Sequence, residues 1–193
     1  MKRLITFIFA LVLITQSMMA SEQEILKRDF LSKIDDVVLI VENKQLSKDT
    51  RNDKIVQVLT PMFDFELMAK LSLGKVWRTL SKETGDKFIS LYVKRMKKSY
   101  SSKIDAYSDE KVEVTKIEQP KKSRIALVTN LVSKTNKLEI VYKFHKPRKL
   151  MLDKNRWLIY DVEILGVSIL KTDKAQFREF LKTHKIEELM EKM

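Results

Sequence analysis

The sequence predicts an α+β fold: helices from both ends of the chain pack on a curved, mainly antiparallel sheet of about five strands. Three observations predict it. Apolar residues recur at helical spacing from Ser21 to Ile104, the period falls to two at Val112, and helical spacing returns after Gly166. Runs of helices followed by runs of strands place the helices to one side of a sheet, and a curved sheet wrapped this way can enclose an apolar cavity. Only three glycines and three prolines occur in 193 residues, too few for long linkers, and no internal repeat is visible. One domain is therefore expected over residues 21–193.

The elements follow in chain order. Leu26, Phe30, Ile34, Val37 and Val41, with Leu31 and Val38 alongside, form one stripe of a helix over Ser21 to Asn43. A second helix runs from Asp49 through Ile55, Val56 and Leu59 until Pro61, which has no N–H to continue it. Phe63 to Leu73 reads as a third, closed by Gly74. Ser81 caps a long helix with Glu83 in its first turn, where the dipole favours an acid, and Phe88, Tyr92, Met96, Tyr100 and Ile104 on its apolar face. Val112 and Val114 alternate with Glu113 and Thr115. Ile125 to Val132 is apolar at nearly every position and reads as a strand covered on both faces. Leu138, Ile140, Tyr142 and Phe144 alternate in the next strand. Leu150 to Leu152, a turn at Asp153-Lys154-Asn155, and Trp157 to Leu165 read as a hairpin. Phe177, Phe180, Leu181, Ile186 and Leu189 share the stripe of the closing helices.

The N-terminus carries a second kind of signal. Lys2 and Arg3 precede an apolar run from Leu4 to Ile14 interrupted only by Thr6, and Ala20 offers a cleavage point before Ser21. That is the layout of a secretory signal peptide over residues 1–20. The run is too short for a bilayer of ~30 Å. Export to the periplasm is expected, with the leader removed. The chain has no cysteine, so neither disulfides nor a lipid-anchored N-terminal cysteine enter the argument. Net charge is +12. For an exported protein the counter-surfaces of such charge are anionic lipid headgroups or acidic proteins rather than nucleic acid.

Three blocks carry a family resemblance. Phe63-Asp64-Phe65-Glu66-Leu67-Met68-Ala69, followed by Leu73-Gly74-Lys75-Val76-Trp77-Arg78, strongly resembles the signature of MlaC-type proteins, also called the toluene-tolerance family. Phe88-Ile89-Ser90-Leu91-Tyr92, with Tyr100 and Tyr107, resembles the family's long helix. Trp157-Leu158-Ile159-Tyr160-Asp161-Val162, Gly166-Val167-Ser168 and Gln176-Phe177 form the third block. After Ser168 the chain departs from the pattern, with Thr172-Asp173-Lys174 where the family commonly carries Asn-Tyr-Arg. The resemblance implies a fold related to the NTF2-like α+β cone and a periplasmic phospholipid carrier. It further implies docking to an inner-membrane MCE-type ABC-transporter complex and to an outer-membrane lipoprotein–porin complex, in the service of outer-membrane lipid asymmetry.

Under that reading the cargo is a phospholipid, no metal or other cofactor is needed, and the carrier is a monomer. The candidate cavity residues are Phe63, Phe65, Met68, Trp77, Phe88, Tyr92, Met96, Tyr142, Trp157 and Tyr160. Methionine adapts to chains of varied length. Candidate cations for the headgroup or for docking are Lys94, Arg95, Lys97 and Lys98 in one cluster and Lys146, Arg148 and Lys149 in another.

Enzyme readings have little material. His145 and His184 are the only histidines, both read as surface residues, and no HExxH, GxSxG or P-loop occurs. The rival that survives is a cavity carboxylate: Asp161 and Glu163 fall on one strand face, and an acid in an apolar pocket can serve as a general base. A second rival is a basic adaptor that binds membranes or proteins with a filled core.

Overall fold

The computed structural model describes residues 2–104, 111–147 and 156–193. Helix α1 spans Lys2–Glu42. It continues without a break across the expected cleavage point, because no glycine or proline precedes Pro61. Side chains are described from Glu22 onward. The α1 stripe is buried only in part: Leu26 and Phe30 are 4% and 2% exposed, whereas Val38 reaches 39%.

Helix α2, Lys48–Leu59, is capped by the Ser47 side chain, which accepts from the Thr50 N–H, and buries Ile55. A 3-10 turn over Thr60–Met62 ends it at Pro61. Helix α3 spans Phe65–Leu73 and starts two residues later than expected, because the Asp64 carboxylate caps it by accepting from the Leu67 N–H. Gly74 closes it with φ of 59°, a value that suits glycine. A short 3-10 turn, Val76–Thr79, leads to helix α4, Lys82–Ile104. As expected, the Ser81 hydroxyl accepts from the Thr84 N–H at 3.1 Å.

The sheet is an antiparallel meander in the order β1-β2-β3-β4-β5. Its strands are β1 Lys111–Lys121, β2 Arg124–Val132, β3 Lys137–His145, β4 Leu158–Ile164 and β5 Val167–Ser168. Pro120 is tolerated because β1 is an edge strand, where a missing N–H breaks no inner ladder. Register shifts in β1 and between β3 and β4 bend the sheet.

Two expectations change here. The chain does not return to helix directly after Gly166: Val167–Ser168 forms β5, paired with Glu163–Ile164 of β4, and the Leu150–Leu152 half of the expected hairpin lies outside the described residues. Strand β2 is not covered evenly on both faces: Ile125, Leu127 and Thr129 are buried, while Ala126 and Val128 are only half-buried.

The chain closes with α5, Ile169–Phe180, capped by Ser168, and α6, Ile186–Glu191. The interior falls into two apolar clusters. In one, Leu26 and Phe30 of α1 lie on the sheet face formed by Ile125, Leu127, Ile140, Phe144, Ile159 and Val162. The other joins α3, α4, α5 and α6 through Met68, Phe88, Tyr92, Met96, Phe177 and Leu189. The helical part is tied to the sheet along β4, where Phe63 pairs with Ile159 and the Asp64 N–H donates to the Ile159 carbonyl at 2.8 Å. Phe63 and Ile169 pack against both clusters.

Candidate functional site

The ten apolar candidates divide between three environments. Phe65, Met68, Phe88, Tyr92 and Met96 are buried in the helical cluster. Phe88 and Tyr92 sit one turn apart on α4, and both meet the Phe177 ring edge-on at 6.0 and 6.4 Å. Trp77 is half-buried against α4 beside Gly85, with Lys70 Nζ 5.4 Å from its ring centroid. Tyr142 and Trp157 belong to the sheet-side cluster, where Phe30 packs on Tyr142 with ring centroids 4.8 Å apart. Phe63 stacks on Phe65 at 5.1 Å and stands at the boundary. Tyr160 leaves the apolar face: it carries Arg124 at 4.4 Å over its ring and His145 edge-on at 5.8 Å.

Around the sheet-side core, apolar residues remain half-buried: Ile34, Leu131, Leu138, Tyr142, Trp157 and Ile164. Helix α1 lies across this face at Leu26 and Phe30 but does not fully cover its margins. Among the described residues the result is an apolar margin of aromatic and aliphatic side chains, suited to contact with hydrocarbon.

The acids are occupied structurally. Asp161 is buried and accepts from the Ser168 hydroxyl at 2.8 Å, from the Leu170 N–H at 3.1 Å and from Lys143 at 3.3 Å. Glu163 takes the other side of Lys143, as the shared strand face predicts. Burial opposes the charge on Lys143, but Glu163 and Asp161 together hold its pKa above the ordinary 10.5. An acid so engaged anchors the start of α5, with both carboxylate oxygens accepting hydrogen bonds.

His145 is buried rather than on the surface, at 7% exposure, while His184 is exposed as expected. Its Nε2 lies 2.8 Å from Asp64 Oδ2, and with a carboxylate as partner the ring nitrogen is the donor. Burial pushes the Asp64 carboxyl up. The hydrogen bonds from His145 and the Leu67 N–H, with the nearby His145 and Lys70 charges, outweigh it and hold the group below its usual 3.8.

The cation clusters are less uniform than their sequence suggests. Lys94 and Lys98 are exposed on α4, and Lys97 is half-buried. Arg95 turns inward, 2.9 Å from Asp173 and 5.3 Å over the Phe177 ring. The Tyr92 hydroxyl donates to the other Asp173 oxygen at 2.9 Å. Lys146 pairs with Glu22 at 2.8 Å and lies 5.8 Å from the Trp157 ring. Arg148 and Lys149 lie outside the described residues. Among the described residues no group of acids and histidines could hold a metal ion.

Sequence reasoning missed Asp64, Asp173 and Ser168. A signal existed for Asp173: it stands three residues after Leu170 and four before Phe177, on the buried stripe of α5, where an acid requires partners.

No curated protein matches the chain significantly. Among solved structures it resembles a phospholipid-binding protein from Ralstonia solanacearum solved in complex with a phospholipid. The two share a TM-score of 0.71 at 16% identity over 88% of this chain and 92% of that one. At that identity the likeness establishes the fold. The family model described as MlaC protein matches residues 32–193, nearly the whole of the helices and sheet just described, and the chain accordingly belongs to the MlaC family.

Proposed function

We propose that this protein is a periplasmic phospholipid carrier that holds acyl chains against the concave apolar face between α1 and the sheet. One observation carries the reading: that face is walled by aromatic and aliphatic side chains left half-buried, among them Tyr142, Trp157, Leu138 and Ile164. The complex of the Ralstonia protein with a phospholipid supports it by analogy of fold.

The physical need is clear. Two acyl chains carry roughly 30 methylenes at about 0.8 kcal/mol each, so exposing them to water costs on the order of 20 kcal/mol or more. A carrier supplies a preformed apolar surface and releases its cargo through small differences in affinity when it docks. Residues 1–20 act as a cleaved export leader, and the processed chain moves lipid between an inner-membrane ABC-transporter complex and an outer-membrane lipoprotein–porin complex. The cargo phosphate stays hydrated near the mouth, served by Lys146 and by exposed lysines such as Lys94 and Lys98. The protein performs no chemistry on its cargo.

Native mass spectrometry with solvent extraction tests this on protein purified in high salt without detergent. A stoichiometric phospholipid is the expected result, since burial of tails is not screened by salt. A bare-chain mass that persists after incubation with phospholipid vesicles rejects the carrier and favours a filled-core adaptor.

A further inference from the structure

Strand β2 is largely apolar, and Asn130 interrupts it. Asparagine and glutamate are both depleted in strands. Register nevertheless sets Asn130 directly opposite Glu113 of β1 on one side and Glu139 of β3 on the other. Directly opposed residues share a sheet face, with Cβ atoms roughly 4.5–5.5 Å apart. Ile125, Leu127 and Leu131 of β2 belong to the cluster under α1, and Thr129, in step with them, is buried and donates to the Ile140 carbonyl. Asn130 alternates with these residues, so the row of Glu113, Asn130 and Glu139 lies on the face turned away from α1.

Asn130 is only 7% exposed, and among the described residues no hydrogen bond reaches its side-chain amide. A buried amide without a partner is unfavourable. The two glutamates are exposed, and each has two methylenes with which to lean over the shorter asparagine. Neither makes an ion pair among the described residues, although Lys111 and Lys137 stand two residues away on the same face. Lys116, on the far side of Glu113, turns to Glu118 instead. The Glu139 main chain is fixed from the β4 side, where the Leu165 N–H donates to its carbonyl at 3.1 Å. Two unpaired carboxylates that flank a partnerless amide form a costly row in the isolated protein, and a cation held over the amide oxygen relieves both faults.

We infer that Glu113, Asn130 and Glu139 form a calcium site on the outer face of the sheet, with water completing the shell. No three acids or histidines come together among the described residues; here the third oxygen is that of an amide. All three donors are hard oxygens, which disfavours zinc and copper. Calcium takes about six to eight such ligands in a forgiving geometry, whereas magnesium demands a near-ideal octahedron. The chain carries a net charge of +12, which repels cations in general, so uptake of calcium requires a built site rather than diffuse attraction. Three protein ligands open to water place the dissociation constant at roughly 10⁻⁴–10⁻³ M, the range of extracellular modules. The site is independent of the carrier reading: calcium binding and lipid content are separate measurements, and either can fail alone.

The test is thermal unfolding of the protein as cells process it. Calcium chloride is raised to ~10 mM while sodium chloride is lowered to keep the ionic strength, and hence screening, constant. The wild-type midpoint should rise by about 2–5 °C. Glu113→Gln with Glu139→Gln keeps the side-chain shapes and removes both charges. Without calcium its midpoint should hold or rise, since like charges are relieved, so misfolding is not a confounder. Its calcium response should be lost. Asn130→Thr suits a strand and should hold the calcium-free midpoint while weakening calcium binding about tenfold, as read by isothermal titration with calcium chloride. A wild type whose midpoint ignores calcium overturns the proposal. So does an equal response in the double glutamine variant, which would put the bound calcium elsewhere on the protein.

Discussion

Two acids offer single-residue tests, the buried Asp161 and the half-buried Asp64. Asp161 gathers the Ser168 hydroxyl, the Leu170 N–H and Lys143. Replacing it with alanine leaves a buried N–H and hydroxyl unpaired, and Asp161→Ala should cost about 3–5 kcal/mol in urea unfolding. Asp161→Asn keeps part of the set and should cost less. Retention of lipid by a folded Asp161→Asn protein would agree with an anchoring role, whereas a lost enzymatic turnover would not. Asp64 makes a pH prediction. Its carboxyl is held below the ordinary 3.8 by His145 and the Leu67 N–H. A depressed folded pKa means that its contribution is fully present above the unfolded value and is lost as pH falls through the folded one. Thermal midpoints of wild type and Asp64→Asn should differ most near neutrality and converge below about pH 4.

At the scale of elements, the joints decide stability more than the elements do. A Cβ on Gly85 would lie 2.9 Å from the Trp77 ring, so α4 and the turn before it touch through the absence of a side chain. Alanine favours a helix over glycine by about 1 kcal/mol, but displacing a packed indole costs about 1–3 kcal/mol. Gly85→Ala should therefore destabilise on balance, with a blue- or red-shifted tryptophan emission marking the moved ring. A more stable Gly85→Ala protein would show that Trp77 yields freely. Ser168 joins β5 to α5: its hydroxyl caps the helix by accepting from the Lys171 N–H and donates to Asp161. Ser168→Ala should cost about 1–3 kcal/mol. The elements themselves were largely readable in the chain. Pro61, Gly74 and Ser81 mark their boundaries as physics requires. The short strand β5 was not, because two residues carry no period.

For the whole molecule, the question is what holds the sheet to α1. From Glu22 onward α1 meets the sheet through Lys146, Gln119 and the rings packed on Phe30. Phe30→Ala should cost about 3–5 kcal/mol and loosen the apolar face on which cargo is proposed to rest. Both the unfolding midpoint and the lipid content should fall. A chain beginning at Ser21 should keep the full midpoint, as expected of a leader outside the fold. A large drop would instead make residues 1–20 part of the domain.

The sequence by itself determined the order of helices and strands, the basic charge and the N-terminal leader pattern, because periodicity, turn residues and composition are local properties. It also placed Asp161 and Glu163 on one strand face. Only the tertiary structure decided which polar groups meet: Asp64 with His145, Arg95 and Tyr92 with Asp173, and Asp161 with Ser168. Those pairs join residues from different elements. Their partners are fixed by how the helices close against the β4 edge, and a linear pattern holds no record of that closure. The same is true of the apolar residues. Their spacing marks an inward face, but the division into two clusters and the half-buried margin beside α1 come from packing alone.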